Sequence, residues 1–322
     1  DALGLPASPP EAAAAARNKG LLRRLLDQAG VPNPRSTLFR LQDDPAEAAR
    51  SVAYPCVLKP TFLAASCGVI RADDPDSFRA AWRRIEAILG RPEVSAKGGE
   101  AASEILVEDY VPGAEVAVEG LLRGGELEVL AVFDKPDPLE GPFFEETIYL
   151  TPSRLPEATV TAVRSTTAQA CRALGLAHGP IHAELRINPV GLSVIEVAAR
   201  SIGGLCSRTL SFGAGISLEE LILRHALRRE EERPPRDPRA AGVMMIPIRR
   251  AGRLEKVSGL DQARAVPDVE DVVVSAHAGQ LLVPLPEGSR YLGFIFSRAA
   301  TVDRAEAALR EAHAALMFEI SD

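Results

Sequence analysis

Residues 182–200 read HAELRINPVGLSVIEVAAR. The stretch has the form of two short strands joined by a tight turn, and each strand carries one carboxylate, Glu184 and Glu196. Pro189-Val190-Gly191 suits a three-residue loop, with Pro setting the first turn angle and Gly taking the left-handed position. Such a loop sets Asn188 against Leu192, and counting back puts Glu184 directly opposite Glu196 on one sheet face. Like charges so placed repel. A divalent cation between them inverts the repulsion: hard cations such as Mg2+ take carboxylate oxygens and complete their shell with water or phosphate. The competing reading is a solvated strand face with two unrelated glutamates.

Length and charge narrow the classes. At 322 residues the chain is long enough for about two domains with real cores, and its 46% hydrophobic and 25% charged content is ordinary for a globular protein. A net charge of -7 with scattered Lys and Arg argues against nucleic acid or an anionic membrane as main partner. No apolar run approaches the ~18 residues a membrane span needs. The opening DALGLPASPPEAAAAA lacks a basic region and is broken by prolines, so it does not read as a signal peptide. Cys56, Cys67, Cys171 and Cys206 make no CxxC pair and no evident disulfide frame, which points to a reducing cytoplasm.

Along the chain, residues 11–29 read as one helix stopped by Gly30. STLFRL and YPCVLKP read as strands, the second ending in Lys59-Pro60 before the small-residue loop TFLAASCG. Residues 75–89 and 156–174 are helical in pattern, SAKGGEAA reads as a mobile loop, and ILVEDYVPGAEVAVEGLL as strands broken near Pro112-Gly113. FDKPDPLEGPFFEETIYLTPS is too dense in Pro, Gly, Phe and Glu for regular structure, and reads as an ordered loop over a cleft. The charged, proline-rich RREEERPPRDPRAA is the best domain boundary. Beyond it come several short strands and a closing amphipathic helix, a small α+β module after a larger mixed one.

Several residues have the chemistry of a nucleotide site. Lys59 ends a buried strand and precedes Ser66 and Gly68, and a lysine with a small-residue loop offers phosphates a point charge and backbone N–H groups. Lys19 on the first helix adds a second cation, although a solvated lysine is the blander reading. Glu108-Asp109-Tyr110-Val111 can present backbone to a purine edge, with Glu115 for ribose hydroxyls. Arg200 could hold a carboxylate or phosphate bidentately.

The order of these features (basic helix residue, Lys-Pro strand, VEDYVPGAE, paired glutamates on a late hairpin) resembles the ATP-grasp family over about residues 15–228. Within it, DKPDPLEGPFFEETIYLTPS, HAELRI and IEVAARSIGG look most like the L-amino acid ligases, which make dipeptides. The resemblance implies an α+β chain: an ATP-grasp fold of two mixed α/β subdomains with ATP between them, then a small α+β C-terminal domain. It implies residues 1–14 as a linker from an absent N-terminal domain, 15–230 as the ATP-grasp domain, 231–240 as a linker and 241–322 as the C-terminal domain. Lys19, Lys59, Ser66 and Gly68 then match phosphate-binding positions, Glu108 and Val111 the adenine hinge, and Glu115 the ribose contact. Glu184 and Glu196 match the metal acids, for Mg2+ with Mn2+ as an alternative. Arg200 and Glu146 match catalytic positions and, with Tyr149 and Gly204, substrate-binding ones. Gly203-Gly204 leaves open the space beside Arg200 where related ligases can carry a larger side chain. Leu63 stands where the covering loop usually has glycine, and Ala198 where a ligand asparagine is common.

The activity implied is ATP-dependent joining of two amino acids through an acyl phosphate, releasing ADP and phosphate. The alternatives are the same chemistry on a natural-product precursor, and a non-catalytic ATP-binding regulatory domain. Expected partners are small amino-acid, carboxylate and amine substrates, with no nucleic acid and no membrane. The oligomeric state is left open between monomer and homodimer.

Overall fold

A computed structural model describes residues 4–213, 215–229 and 235–322. No helix among the described residues is long and apolar enough to cross a membrane. The helix expected over residues 11–29 is two helices, α1 (Pro10–Arg17) and α2 (Lys19–Gln28). They part at Asn18, whose extended backbone ends α1 and whose side chain caps α2 by accepting from the Leu21 N–H. Ala12, Ala15 and Ala16 of α1 pack into the main core. The linker expected over 1–14 therefore gives way to packed helix from Pro10 onward, because those alanines form one apolar stripe.

The next segment makes a small antiparallel sheet: β1 (Ser36–Arg40), β2 (Cys56–Pro60), β3 (Ile70–Ala72) and β4 (Glu104–Asp109), in the order β1-β4-β2-β3. Helices α3 (Pro45–Ser51) and α4 (Pro75–Leu89) cover one face, where Phe78, Trp82 and Ile85 meet Leu58, Ile105 and Val107. A capping box at Asp74 and Ser77 starts α4. The loop expected at SAKGGEAA is instead a short helix, Pro92–Gly98, followed by a 3-10 turn, Gly99–Ser103.

The second sheet is the larger, with eight strands. It contains β5 (Ala114–Arg123), β6 (Glu126–Lys135), β7 (Ile148–Thr151), β8 (Gly179–Asn188) and β9 (Gly191–Ala198). Beyond β7 it continues through Ala240–Ile246, Gly293–Ala299 and Val269–Val274, so that eight antiparallel strands form one ladder. The boundary expected at 231–240 lies partly outside the described residues, at 231–234. Ala240 is already a strand residue, and the strands expected in a separate module extend the sheet of the preceding one. A second small sheet, Leu281–Leu282, Gly252–Ser258 and Met317–Ser321, closes the C-terminal end. Its last strand was not anticipated within the closing helix, which ends at Ala315.

Side chains alternate faces along a strand. In β5, Val116, Val118 and Leu122 join the core under α1, α2 and the helix Glu157–Ala173, while Ala117 and Leu121 turn to the opposite face. Glu115 and Glu119 share that opposite face. In β7, Ile148 and Leu150 pack against the helix Val302–Ala315, and Tyr149 faces the other way. The segment from 133 to 153, expected to lack regular structure, thus delivers Tyr149 on a central strand.

Candidate active site

The carboxylate hairpin has the predicted opposition and a different route to it. Asn188 pairs with Gly191, so the turn has two residues, Pro189-Val190. An unbroken ladder from that turn would set Glu184 against Ile195. Ile195 is instead bulged out of the pairing, and Glu184 faces Glu196. The carbonyls around the bulge are not wasted: Arg23 of α2 donates from Nη1 to Val194 O (3.1 Å) and from Nη2 to Ile195 O (2.6 Å). The same fully buried guanidinium donates from Nε to Glu108 Oε1 (2.7 Å).

One face of β5, β6 and β8 forms the floor of the cleft between the two sheets. The ladder sets Glu115 between Lys135 and Arg186, Ala117 beside Glu184, and Glu119 beside His182. Lys135 Nζ donates to Glu115 (2.7 Å), to Glu184 (3.1 Å) and to Glu146, and it lies 5.0 Å over the Tyr149 ring. His182 donates from Nδ1 to Glu119 (2.5 Å) and from Nε2 to Glu184 (3.2 Å). Glu119 also accepts from the Ile202 N–H (3.0 Å), which ties the floor to the 201–204 segment. Arg186 donates to Glu115 (2.8 Å), Val111 O and Leu139 O.

Burial in this network shifts several protonation equilibria. Desolvation, reinforced by the neighbouring Glu184, pushes Glu146 up to about 7 against the pull of Lys135. Burial also opposes charge on Glu184, but Lys135 and His182 hold it well below the usual carboxylate range. Burial opposes the imidazolium of His182 too, and Glu119 overrides it, raising the group to about 10. Lys135 is raised above the ordinary lysine value because three glutamates outweigh its desolvation.

The Lys19 and Lys59 side of the cleft lies under the small sheet. Lys19, at the first position of α2, has its N–H on Thr61 O (2.8 Å) and its Nζ on Leu63 O (2.7 Å), 3.4 Å from Glu196. It is 6% exposed, so the solvated reading fails: the break at Asn18 turns this lysine inward. Lys59 meets Glu108 at 2.6 Å. Burial lowers Lys59, with Glu108 only partly offsetting it, whereas Arg23 and Lys59 together overcome the burial of Glu108 and hold it at about 2.

Every residue expected in the site except Gly68 lines one cleft of about 360 Å3: Lys19, Lys59, Ser66, Glu108, Val111, Glu115, Glu146, Tyr149, Glu184, Glu196, Arg200 and Gly204. Gly68 is set apart for a physical reason. It is buried against Pro60 at a φ of +73°, and its N–H is spent on Pro286 O (2.9 Å) rather than turned to the cleft. Gly204 also needs its glycine, since its φ is +62° and a Cβ there would come within 3.0 Å of the Phe294 ring. Gly203 beside it has open space. Arg200 is exposed at the rim and donates to Ser201 O (2.8 Å). The carboxylate of Glu108 is taken up by Arg23 and Lys59, whereas the purine contact expected along this segment is a backbone one.

Lys135, His182, Arg186, Glu119 and Arg23 went unread as site residues in the sequence. Their signal was present: charged residues at alternate positions in otherwise apolar strands, as in Glu115-x-Ala117-x-Glu119 and His182-x-Glu184-x-Arg186, share one face. An apolar slot of Val57, Val69, Tyr110, Leu139 and Phe144 also lines the cleft, and only the fold brings its parts together. Carboxylate oxygens of Glu115, Glu146 and Glu184 lie within 4.8 Å of one another. Such a set, with Glu196 opposite, suits a hard cation, although Lys135 supplies part of the neutralising charge here.

Comparison with known proteins agrees with this geometry. Residues 52–209 match the ATP-grasp domain, and residues 244–321 match the L-amino acid ligase C-terminal domain 2. The L-amino acid ligase from Bacillus licheniformis is 32% identical with a TM-score of 0.82, covering 100% of this chain and 77% of that one. Alanine–anticapsin ligase of Bacillus subtilis is 28% identical, over 69% of this chain and 49% of its own length. Dapdiamide A synthase of Enterobacter agglomerans is 30% identical, over 73% and 56%. The chain spans about half the length of these two curated relatives.

Proposed function

The chain belongs to the ATP-grasp family, in the company of the L-amino acid ligases, and on that footing we propose that it joins a carboxylate to an amine at the expense of ATP. The observation that carries this reading is the opposed pair Glu184 and Glu196 in a cleft that Lys19 and Lys59 also line. Two ammonium groups and an acid pair suit a triphosphate with a divalent cation.

In this reading the apolar slot of Val57, Val69, Tyr110, Leu139 and Phe144 takes the purine, with the backbone at Val111 along its edge. Glu115 accepts ribose hydroxyls, since each of its oxygens retains a lone pair beyond its cation. Lys19 and Lys59, with Ser66 above them, hold the phosphates. Glu184 and Glu196 would hold Mg2+, or Mn2+ in its place, which when bound neutralises charge on the phosphates during transfer. Arg200 swings from Ser201 to a substrate carboxylate; that carboxylate attacks the γ-phosphorus of ATP, ADP leaves, and attack of the amine on the acyl phosphate expels phosphate near His182. Glu146, beside Tyr149 on the amine side, accepts the proton that the amine gives up on attack. Amino acids are the substrates proposed, with a natural-product acid or amine as the variant to be screened. Four free cysteines, three of them buried, fit a reducing cytoplasm.

The experiment is product analysis with Mg2+–ATP and pairs of amino acids. ADP and phosphate with a new amide support the ligase. AMP and pyrophosphate would point to adenylation and overturn it, and nucleotide binding without turnover would favour a regulatory domain.

A further inference from the structure

The loop that covers the phosphate side, residues 61–68, does not hold itself in place by its own backbone alone. Ala65 and Ser66 both sit at a φ of 54°, in the left-handed region that non-glycine residues avoid. One backbone bond is internal, Cys67 N–H to Ala64 O, and Val69 N–H just beyond the loop donates to Ser66 O. A backbone in that state persists where surroundings over-determine it. One part of those surroundings comes from far along the chain: Gly68 N–H donates to Pro286 O.

Pro286 belongs to a turn closed by Gly288 N–H on Pro284 O (2.8 Å), and Gly288 is compelled, since a Cβ there would lie 1.9 Å from Val283 O. The turn is fastened to the small sheet's helix. Glu287 takes a bidentate pair from Arg84 of α4, at 2.8 Å on each oxygen, and Arg91 donates to Glu287 O (3.0 Å). Arg84 also lies 4.9 Å over the Phe143 ring, three residues before Glu146. Thus one turn meets α4, the covering loop and, through Arg84, the segment that carries Glu146.

We propose that residues 284–288 are a latch that positions the phosphate-covering loop over bound nucleotide, with Glu287 as its positioning residue. The inference rests on the nucleotide-binding reading of the cleft. Arg84 and Glu287 are partly exposed, 42% and 28% by side chain, so the pair is weak and salt-sensitive. That is the strength a device needs if nucleotide must enter and leave.

The test compares the full chain with Glu287→Gln, Arg84→Met and the double variant; Met keeps an apolar stem against Phe143. Two readouts are taken: chymotryptic cleavage at Phe62 and Leu63, and the dissociation rate of a fluorescent ADP analogue. Each single variant should raise both rates by about two- to fivefold, with an unchanged denaturation midpoint. The double variant should match either single, because one contact is lost in all three. Added salt should move the parent toward the variants. Rates equal to the parent's in both singles, or additive effects, would overturn the latch. If the parent binds no nucleotide the ligase reading fails, and cleavage alone still decides whether the turn restrains the loop.

Discussion

Arg23 donates to the main-chain oxygen of Ile195 at 2.6 Å, across 172 residues of sequence, and that contact locks the bulge which turns Glu196 toward Glu184. The other edge of the same guanidinium holds Glu108, which holds Lys59. The acid proposed to hold the metal and the lysine proposed to hold phosphate are therefore set by one buried cation. Replacing Arg23 with Met should cost on the order of 3 kcal/mol, because Glu108 and two carbonyls lose their donor in the interior. Urea denaturation measures it; a loss below about 1 kcal/mol would mean that the bulge and Glu108 are held by other means.

Glu196→Gln separates the two readings of the hairpin. With a cation between the acids, the variant keeps its fold and needs at least about tenfold more Mg2+ for half-maximal ADP formation. With two unrelated acids, the variant leaves the Mg2+ requirement where it was, and relief of repulsion is offset by loss of the Lys19–Glu196 pair.

Acid stability should depend on Glu108. Its folded-state value of about 2 lies below the ordinary 4.5, so ionised Glu108 contributes stability that is present above about pH 4.5 and lost as pH falls toward 2. A shift of this size corresponds to roughly 3 kcal/mol at neutral pH. In Glu108→Gln that part of the pH dependence should vanish. An acid limb identical to the parent's would assign the effect to other carboxylates.

Substrate size should be read at Gly203 rather than at Gly204. A tryptophan at Gly204 would be strained by its backbone and would strike Phe294, so a failed variant would say nothing of the pocket. Gly203→Leu has room, and both glycines line the cleft near Arg200. If the substrate's side chain points there, the kcat/KM ratio of large to small amino acids should fall by roughly 1–3 kcal/mol per misfit group. An unchanged ratio in a folded variant would place the side chain elsewhere.

The sequence was legible where chemistry is local. Lys59 at a strand end, the acids at 184 and 196, and the helix at 75–89 follow from short-range pattern, and the structure has each of them. The hairpin register came out correctly from a loop one residue too long, which the bulge at Ile195 offset. No short-range rule shows a bulge that a distant arginine stabilises. Lys19 looked like a surface lysine because the break at Asn18 depends on a tertiary partner, Thr61 O. Lys135 and Arg186 were hidden for a similar reason. A charge in a strand reads as solvent-facing until a second sheet is known to cover that face.

The ladder that runs from Tyr149 to Val243 has a consequence for how such a chain can be rearranged. The proline-rich stretch before it looks like a natural place for recombination to graft a new C-terminal module. A graft there would have to recreate the pairing of Ile148 through Thr151 and bring an aromatic residue back to the place of Phe294. Otherwise the donor half would present β7 as a bare edge, open to pairing with any other chain. The C-terminal strands share one sheet with the strands that carry Glu115 and Glu184, so a graft at this point succeeds only where the new half restores that shared edge.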